Sequence, residues 1–332
     1  MRVFHGLSNA ENRAPCALAI GNFDGVHRGH QALLARARAA AIKRDLPLCV
    51  MTFEPHPREF FDPSGAPLRI TMLRDKLAAL RENGVDYVVV KHFNHTFANL
   101  SPEAFVEDIL VNGLHTRWLL VGDDFRYGAK RAGDFASLQA AGKRYGFNAE
   151  QMTSVVNAQG MRISSSGVRA ALKAGDFDAA RAALGHDYAI SSHVVHGMKL
   201  GHTLGFPTLN LRLAHKRLAV SGIFAVRVQG LSDEPLPGVA NLGLRPTVDD
   251  SGRALLEVHL PDWHGDVYGK LVRVEFLKKL RDEEKFADLD ALKAAIARDI
   301  AEARAWFASA NALMNNTNNT NNTLLNSSSI TS

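Results

Sequence analysis

The chain has 332 residues, of which 46% are hydrophobic and 22% charged, enough for two domains with independent cores and ordinary for a globular protein. Lys and Arg number 39 against 34 acidic residues, a net charge of +5 that suits phosphate-bearing small substrates, yet no basic block is dense enough for a nucleic-acid groove. No apolar run reaches membrane-spanning length and the first 15 residues lack an apolar signal core, so no membrane partner and a cytoplasmic location are expected. Cys16 and Cys49 read as small core residues, which excludes a disulfide framework.

In chain order, the apolar run Ala17 to Ile20 predicts a buried strand, and Gln31 to Arg44 a helix. Leu48 to Phe53 predicts a second strand, and Thr71 to Glu82 a helix with Thr71 as N-cap. Val85 to Lys91 is a strand, Ser101-Pro102 opens a helix, and Trp118 to Gly122 is a strand ending in GDDFRYG. A helix over Asp134 to Tyr145 stops at Gly146, and a further one starts at Ala170. Such alternation implies a parallel sheet covered by helices, with ligands beyond the carboxyl ends of the strands. After the helical segment Asp176 to Ala183 the character changes. Tyr188 to Phe276 carries closely spaced β runs (YAISSHVVHG, GIFAVRVQG, LLEVHL, LVRVEF) without helices between them, which predicts an antiparallel barrel. An amphipathic helix follows over about Asp288 to Ser309, and the Asn/Thr/Ser tail from Asn311 to Ser332 predicts disorder.

Between the first strand and its helix stands GNFDGVHRGH, Gly21 to His30. It is a glycine-bearing turn into a helix N-terminus, where free backbone N–H groups and the helix dipole attract phosphate. His27 and His30 are three apart and reach the same anion, while Gly21 and Gly25 let the backbone pass close to a ligand. ISSSGVR, Ile163 to Arg169, places serine hydroxyls before another helix.

The pattern GxFDGxHxGH resembles the nucleotidyltransferase superfamily, and in this full form the prokaryotic bifunctional riboflavin kinase/FAD synthetases. The resemblance implies a Rossmann-like α/β nucleotidyltransferase domain over 1–184 and an antiparallel β-barrel kinase domain with a C-terminal helix over 185–310, and it leaves the tail over 311–332 outside. It implies phosphorylation of riboflavin to FMN, then transfer of AMP from ATP to FMN, giving FAD and pyrophosphate. Adenylyl transfer needs no protein nucleophile; the protein aligns two anions and neutralises charge in the transition state. His27 and His30 would act at the α-phosphate, with Arg169 and Mg²⁺ at the leaving group. The ATP site would comprise Gly21, Asn22, Phe23, Asp24, Gly25, His27, His30, Ser165, Ser166 and Arg169, Ser166 standing where threonine is commoner. TFEPHP and GDDFRYG also match, so Pro55, His56, Asp124, Phe125 and Arg126 are expected at the FMN pocket, Asp124 replacing the asparagine of some members.

GMKLGHTLGFPTLN, Gly197 to Asn210, resembles the family's kinase loop, with Leu209 in place of alanine. ATP contacts are expected from Gly197, Lys199, Gly201, Gly205, Phe206, Pro207, Thr208 and Asn210, the last two presenting oxygens to Mg²⁺. Glu257, on the strand Leu255 to Leu260, matches the general base that accepts the riboflavin 5′-hydroxyl proton. The barrel exit implies flavin contacts from Arg281, Glu284 and Phe286. The expected partners are riboflavin, FMN and ATP, with a weak or transient homo-oligomer and no nucleic acid. Two other readings set against this one are a different nucleotidyltransferase joined to the kinase and a flavin-binding regulator. The first lacks a reason for the fused PTxN barrel, the second for a general base.

Overall fold

The computed structural model describes residues 1–7, 14–197, 205–213, 217–244 and 254–327. Two compact units divide the chain, Met1–Ala171 with Asp178–His186, and Leu172–Phe177 with Asp187–Ser332.

The first unit is a six-stranded parallel sheet of β1 (Arg2–His5), β2 (Cys16–Ile20), β3 (Leu48–Glu54), β4 (Tyr87–His92), β5 (Thr116–Gly122) and β6 (Asn148–Met152), in the order β1-β4-β3-β2-β5-β6. Its helices are α1 (Arg28–Lys43), α2 (Pro57–Phe61), α3 (Leu73–Glu82), α4 (His95–Ala98), α5 (Pro102–Ala104) running into a π-helical stretch Phe105–Val111, α6 (Phe135–Tyr145), α7 (Ser165–Ala174) and α8 (Phe177–Leu184). Side chains alternate across β2, so Ala17 and Ala19 join Leu34, Val50, Val88 and Trp118 in one core. Cys16, Leu18 and Ile20 join Met51, Val89 and Leu119 in the other. A strand buried on both faces has no polar alternation to show, which is why CALAI reads as a continuous apolar run. The chain moves from β2 to β3 to β4 in one direction, then returns to β5 on the other side of β2. The crevice at that switch point lies beyond Gly21 and Gly122, at the carboxyl ends of β2 and β5.

Ser101 caps α5 by accepting from the Ala104 N–H, Asp134 and Ser137 form a capping box on α6, and Gly146 ends it at φ 79°. Thr71 is not the N-cap of α3. Met72 takes that position without a side-chain bond, because the Thr71 hydroxyl accepts from the Gly25 N–H at 3.0 Å and donates to Asp24 at 3.2 Å. Two strands have no sequence signal: RVFH and NAEQM form the exposed or half-buried sheet edges β1 and β6, where apolar periodicity is not required. The helices after both glycine- and serine-rich turns begin earlier than expected, at Arg28 and Ser165, which draws the turn residues onto the helix N-termini.

The second unit is a closed antiparallel barrel of β7 (Tyr188–Val195), β8 (Thr208–Arg212), β9 (Gly222–Gln229), β10 (Leu236–Leu244), β11 (Ala254–His259) and β12 (Leu271–Arg281), in the order β10-β11-β8-β7-β12-β9. Leu211, Phe224, Val226, Leu256, Val258 and Val274 are all buried. Closure removes free sheet edges. The final helix, α9 (Leu289–Ser327), packs Ile300, Ala303, Trp306 and Phe307 against Ile223, Ala225 and Val239. The backbone of α9 runs through the Asn/Thr triplets as far as Ser327, where composition predicts disorder. Extending an existing helix adds one hydrogen bond per residue fixed, whereas composition speaks only to starting one.

Candidate functional sites

In the first unit the chain leaves β2 through a tight turn in which Phe23 (φ 49°) and Val26 (φ 39°) hold left-handed conformations unusual for such residues. Asp24 is buried, and its carboxylate accepts from the Ile70 and Thr71 N–H groups, at 3.2 and 3.0 Å, and from Arg169 Nη2 at 2.6 Å. Burial alone would raise the Asp24 carboxyl; the Thr71 N–H and the Arg169 and Lys76 charges outweigh it and hold it below its ordinary value. Arg169 Nε donates to the Leu68 carbonyl at 2.6 Å, and Ser165 Oγ to the Asp24 carbonyl at 2.9 Å. Gly29 sits where space is tight: a Cβ there would lie 3.1 Å from His27 and 3.2 Å from the Ile163 carbonyl. The two turns that the sequence singles out thus meet, each at the start of a helix.

His27 is the N-cap of α1, its Nδ1 accepting from the His30 N–H at 3.3 Å. The two imidazoles stack at 3.8 Å with planes 15° apart, and Phe23 lies 5.1 Å from the His30 ring. Burial pushes His27 down to about 4, against the opposing pull of Asp24. Burial also carries His30 well below its ordinary range, helped by His27 and Lys76. Both rings are therefore neutral at pH 7, acting as hydrogen-bond groups and not as resident cations. His30 Nδ1 and Asn22 Oδ1 are buried without a hydrogen-bond partner among the described residues.

The remaining expected residues of this unit divide. Thr52 Oγ1 donates to the Asn22 carbonyl at 3.1 Å, tying TFEPHP to the histidine turn. His56 caps α2, accepting from the Arg58 N–H at 3.1 Å while Glu59 bonds back to the His56 N–H. Burial pushes it down to about 4. Pro57 opens α2. This loop is a rigid, self-bonded element. In GDDFRYG, Asp124 meets Arg162 at 3.1 Å, Phe125 stacks on Tyr127 at 5.9 Å, and Arg126 faces Asp134 at 3.5 Å. Ser166 is exposed at the start of α7. Sequence reasoning missed Arg69 and Lys76, both buried beside this site. Arg69 pairs with Glu54 at 2.5 Å and also with Glu59. The signal for Lys76 was available: it stands on the apolar stripe of α3, four residues before Leu80, where a surface lysine does not belong.

The barrel carries a second polar cluster. Register pairs Asn210 of β8 with Glu257 of β11, and Glu257 with Asn241 of β10, so the three share one row across adjacent strands. Their neighbours Leu209, Leu211, Leu256 and Val258 are buried on the opposite, inward face. Asn210 Nδ2 donates to the Thr208 carbonyl at 3.2 Å, whereas Asn210 Oδ1 and Asn241 Oδ1 are buried without partners among the described residues. Gly197 crosses this row so closely that a Cβ would lie 2.4 Å from the Asn210 amide. Thr208 pairs with His259, whose Nδ1 lies 2.8 Å from the Pro207 carbonyl and whose ring meets Phe206 edge-on at 5.7 Å. Gly205 turns at φ 88°. Lys199 and Gly201 lie outside the described residues.

Arg281, Glu284 and Phe286 are brought together, with Arg281 3.3 Å from Glu284 and 5.6 Å from the Phe286 ring. Arg281 also forms two 2.8 Å bonds to the buried Asp299 of α9 and so fastens that helix to β12. Glu283 was not anticipated. A Cβ on Gly243 would meet its carboxylate, and burial, with the Glu257 charge, raises its pKa against the pull of Arg281. Among the described residues no cluster of three His, Cys, Asp or Glu could hold a metal, and no helix is long and apolar enough to cross a membrane.

Residues 9–167 match the FAD synthetase family model, and residues 184–307 match the riboflavin kinase family model. A bifunctional riboflavin kinase/FMN adenylyltransferase of Escherichia coli strain K12 is 50% identical over 307 residues, spanning 92% of this chain and 97% of that one. Its counterpart in Pseudomonas fluorescens is 48% identical over 310 residues, spanning 93% and 98%. Among solved structures, a crystal structure titled as a macrolide-efflux protein from Streptococcus pneumoniae superposes with a TM-score of 0.70 at 27% identity, covering 92% of this chain and 98% of that one.

Proposed function

The chain belongs to the family of bifunctional riboflavin kinases/FMN adenylyltransferases, and from that premise we propose that its two polar clusters are the two active sites. The enzyme phosphorylates riboflavin to FMN and joins FMN to AMP, using ATP in both steps. We assign adenylyl transfer to residues 1–184 and phosphorylation to 185–310. The observation that carries the first assignment is the junction of the His27–His30 stack with the Asp24–Arg169 pair at one strand end.

For adenylyl transfer, an FMN phosphate oxygen attacks the α-phosphorus of ATP, the bond to the β-phosphate oxygen breaks, and pyrophosphate leaves. Gly21 to Gly25 would let the backbone approach the phosphates, with Ser165 and Ser166 donating at the start of α7. Neutral His27 and His30 would donate hydrogen bonds to the charge that develops on the α-phosphate. Arg169 Nη1, which has no partner among the described residues, would reach the departing pyrophosphate while Asp24 and the Leu68 carbonyl hold the rest of the guanidinium. Pro55, His56, Asp124, Phe125 and Arg126 would border the flavin.

For phosphorylation, the riboflavin 5′-hydroxyl oxygen attacks the γ-phosphorus of ATP, Glu257 takes the hydroxyl proton, and ADP leaves. Gly197, Lys199, Gly201, Gly205, Phe206 and Pro207 would enclose the ATP phosphates, with Arg281, Glu284 and Phe286 toward the flavin. The unpartnered, buried Asn210 Oδ1 fits an oxygen-seeking cation, so Thr208 and Asn210 would hold Mg²⁺, which when bound neutralises phosphate charge. A cytoplasmic location and weak or transient self-association complete this reading.

The test is to incubate the full chain with riboflavin, ATP and Mg²⁺ and to resolve the flavins by chromatography. FMN followed by FAD is expected. FMN without FAD overturns the assignment of residues 1–184, and unchanged riboflavin overturns that of residues 185–310.

A further inference from the structure

Around the histidine turn, the buried charged side chains are held by hydrogen bonds with one exception. Asp24 accepts from backbone and Arg169, Arg169 spans Asp24 and the Leu68 carbonyl, and Arg69 is clasped by Glu54 and Glu59. Lys76 is 1% exposed, and its ammonium makes no hydrogen bond or ion pair among the described residues. It stands in the first turns of α3, just after the Ile70–Thr71 segment that binds Asp24. Asp24, Glu54, Glu59, Arg69 and His30 lie within its electrostatic reach. An ammonium buried without hydrogen bonds is costly, because desolvation is not offset by any acceptor.

We propose that Lys76 is a third phosphate ligand of the adenylyl-transfer site, its ammonium donating to a phosphate oxygen of the reacting nucleotides beside His30. The assignment rests on the reading of this site as the adenylyltransferase. Its second support is the company Lys76 keeps. His30 Nδ1 and Asn22 Oδ1 are also buried, and neither has a hydrogen-bond partner among the described residues. A ring turned to its Nδ1–H tautomer and an amide turned by 180° both become donors. With the Lys76 charge felt at His30, two unpartnered atoms of the turn after β2 and one lysine held by no hydrogen bond then offer donors to an acceptor-rich ligand, which a phosphate is. Burial pushes the lysine pKa down, and Arg69 adds to this; a bound phosphate would reverse that trend. The same ligand chemistry is present on ATP and on FMN. The rival explanation is a pure counter-ion, since Asp24, Glu54 and Glu59 balance Arg69, Arg169 and Lys76.

Lys76→Met and the double variant Lys76→Met/Glu59→Gln, compared with Glu59→Gln alone, separate these. A lost charge-assisted contact lowers kcat/KM for FAD formation from FMN by about ten- to a hundredfold, in the double variant as in the single, while riboflavin phosphorylation is unchanged. Recovery of FAD formation in the double variant identifies a counter-ion and overturns the proposal, as does an unchanged kcat/KM in the single. If Lys76→Met does not fold, the charge-balanced double variant carries the same comparison. Calorimetric titration of the full chain with ATP, inorganic pyrophosphate and FMN identifies the source: weakened ATP and pyrophosphate binding places Lys76 on the nucleotide, weakened FMN binding alone on the flavin phosphate. Unweakened binding of all three overturns the proposal. An unaltered chain that makes no FAD from FMN overturns the underlying activity reading instead.

Discussion

Asp24 and Arg169 are each other's principal charge partners, 2.6 Å apart, with the carboxylate 2% exposed. Removing one partner of such a pair leaves a buried charge uncompensated, at a cost of about 3–5 kcal/mol. Arg169→Ala is therefore expected to lower the stability of the first unit and to abolish useful FAD formation, while riboflavin phosphorylation continues. Adding Asp24→Asn should restore much of the melting midpoint without restoring FAD formation; restoration of both would make Arg169 a purely structural residue. The histidines set a pH dependence of their own. His27 and His56 are each pushed down to about 4 by burial, whereas an unfolded histidine titrates near ~6.5. Between those values the unfolded chain binds more protons than the folded one, so stability rises with pH. Their contribution, on the order of 3 kcal/mol each, is complete above the unfolded value and is lost as the pH falls toward 4. Asp24, held below its ordinary range, adds its loss only at still lower pH. Thermal melts from pH 7 to 4 should show this decline, and His27→Asn/His56→Asn should flatten it; an unchanged slope would mean the rings are not buried neutral.

At the level of elements, what the sequence made legible was whatever is buried by period or fixed by a local cap. β2, β3, β4 and β5 are apolar runs because both sheet faces are covered, and Ser101, Asp134 and Gly146 cap helices as their residue types require. The glycine- and serine-rich turns were legible as strand-to-helix junctions because glycine and serine suit turns and helix starts, and the two meet through Ser165 and the Asp24 carbonyl. β1 and β6 were not, since an edge strand needs only backbone pairing and RVFH or NAEQM show no alternation. Thr71 looked like a cap and is instead spent on Asp24 and Gly25, a long-range bond that no local rule contains. Glu283 was illegible for the same reason: only folding brings it over Gly243 and toward Glu257. α9 extends the point. Its residues up to Phe307 pack on the barrel, and Asp299 holds Arg281. Beyond them the Asn/Thr triplets have poor helix propensity and little apolar surface. A chain ending at Ala310 is expected to keep both activities and its melting midpoint within about 2 °C, a shift of no more than about 1 kcal/mol for a domain of this size. A larger drop would show that 311–332 docks.

For the whole molecule, the central consequence of two separate polar clusters is that the two activities can be divided by a single side chain. Glu257 lies on β11 between Asn210 and Asn241, in the barrel unit. Glu257→Gln keeps the shape and hydrogen-bonding capacity of that row and removes the proton acceptor. Loss of a general base costs about 10²–10⁴ in rate, so riboflavin should no longer become FMN at a useful speed. FMN supplied directly should still become FAD, because His27, His30 and Arg169 belong to the other unit. With riboflavin as substrate, FAD should then fail to appear only for want of FMN, and adding FMN should restore it. Chromatography of the flavins formed from each substrate decides the matter. Normal phosphorylation by Glu257→Gln removes Glu257 as the base and turns attention to Glu283, the neighbouring carboxyl whose raised pKa already suits it to hold a proton. Loss of FAD formation from supplied FMN would instead defeat the division into two sites.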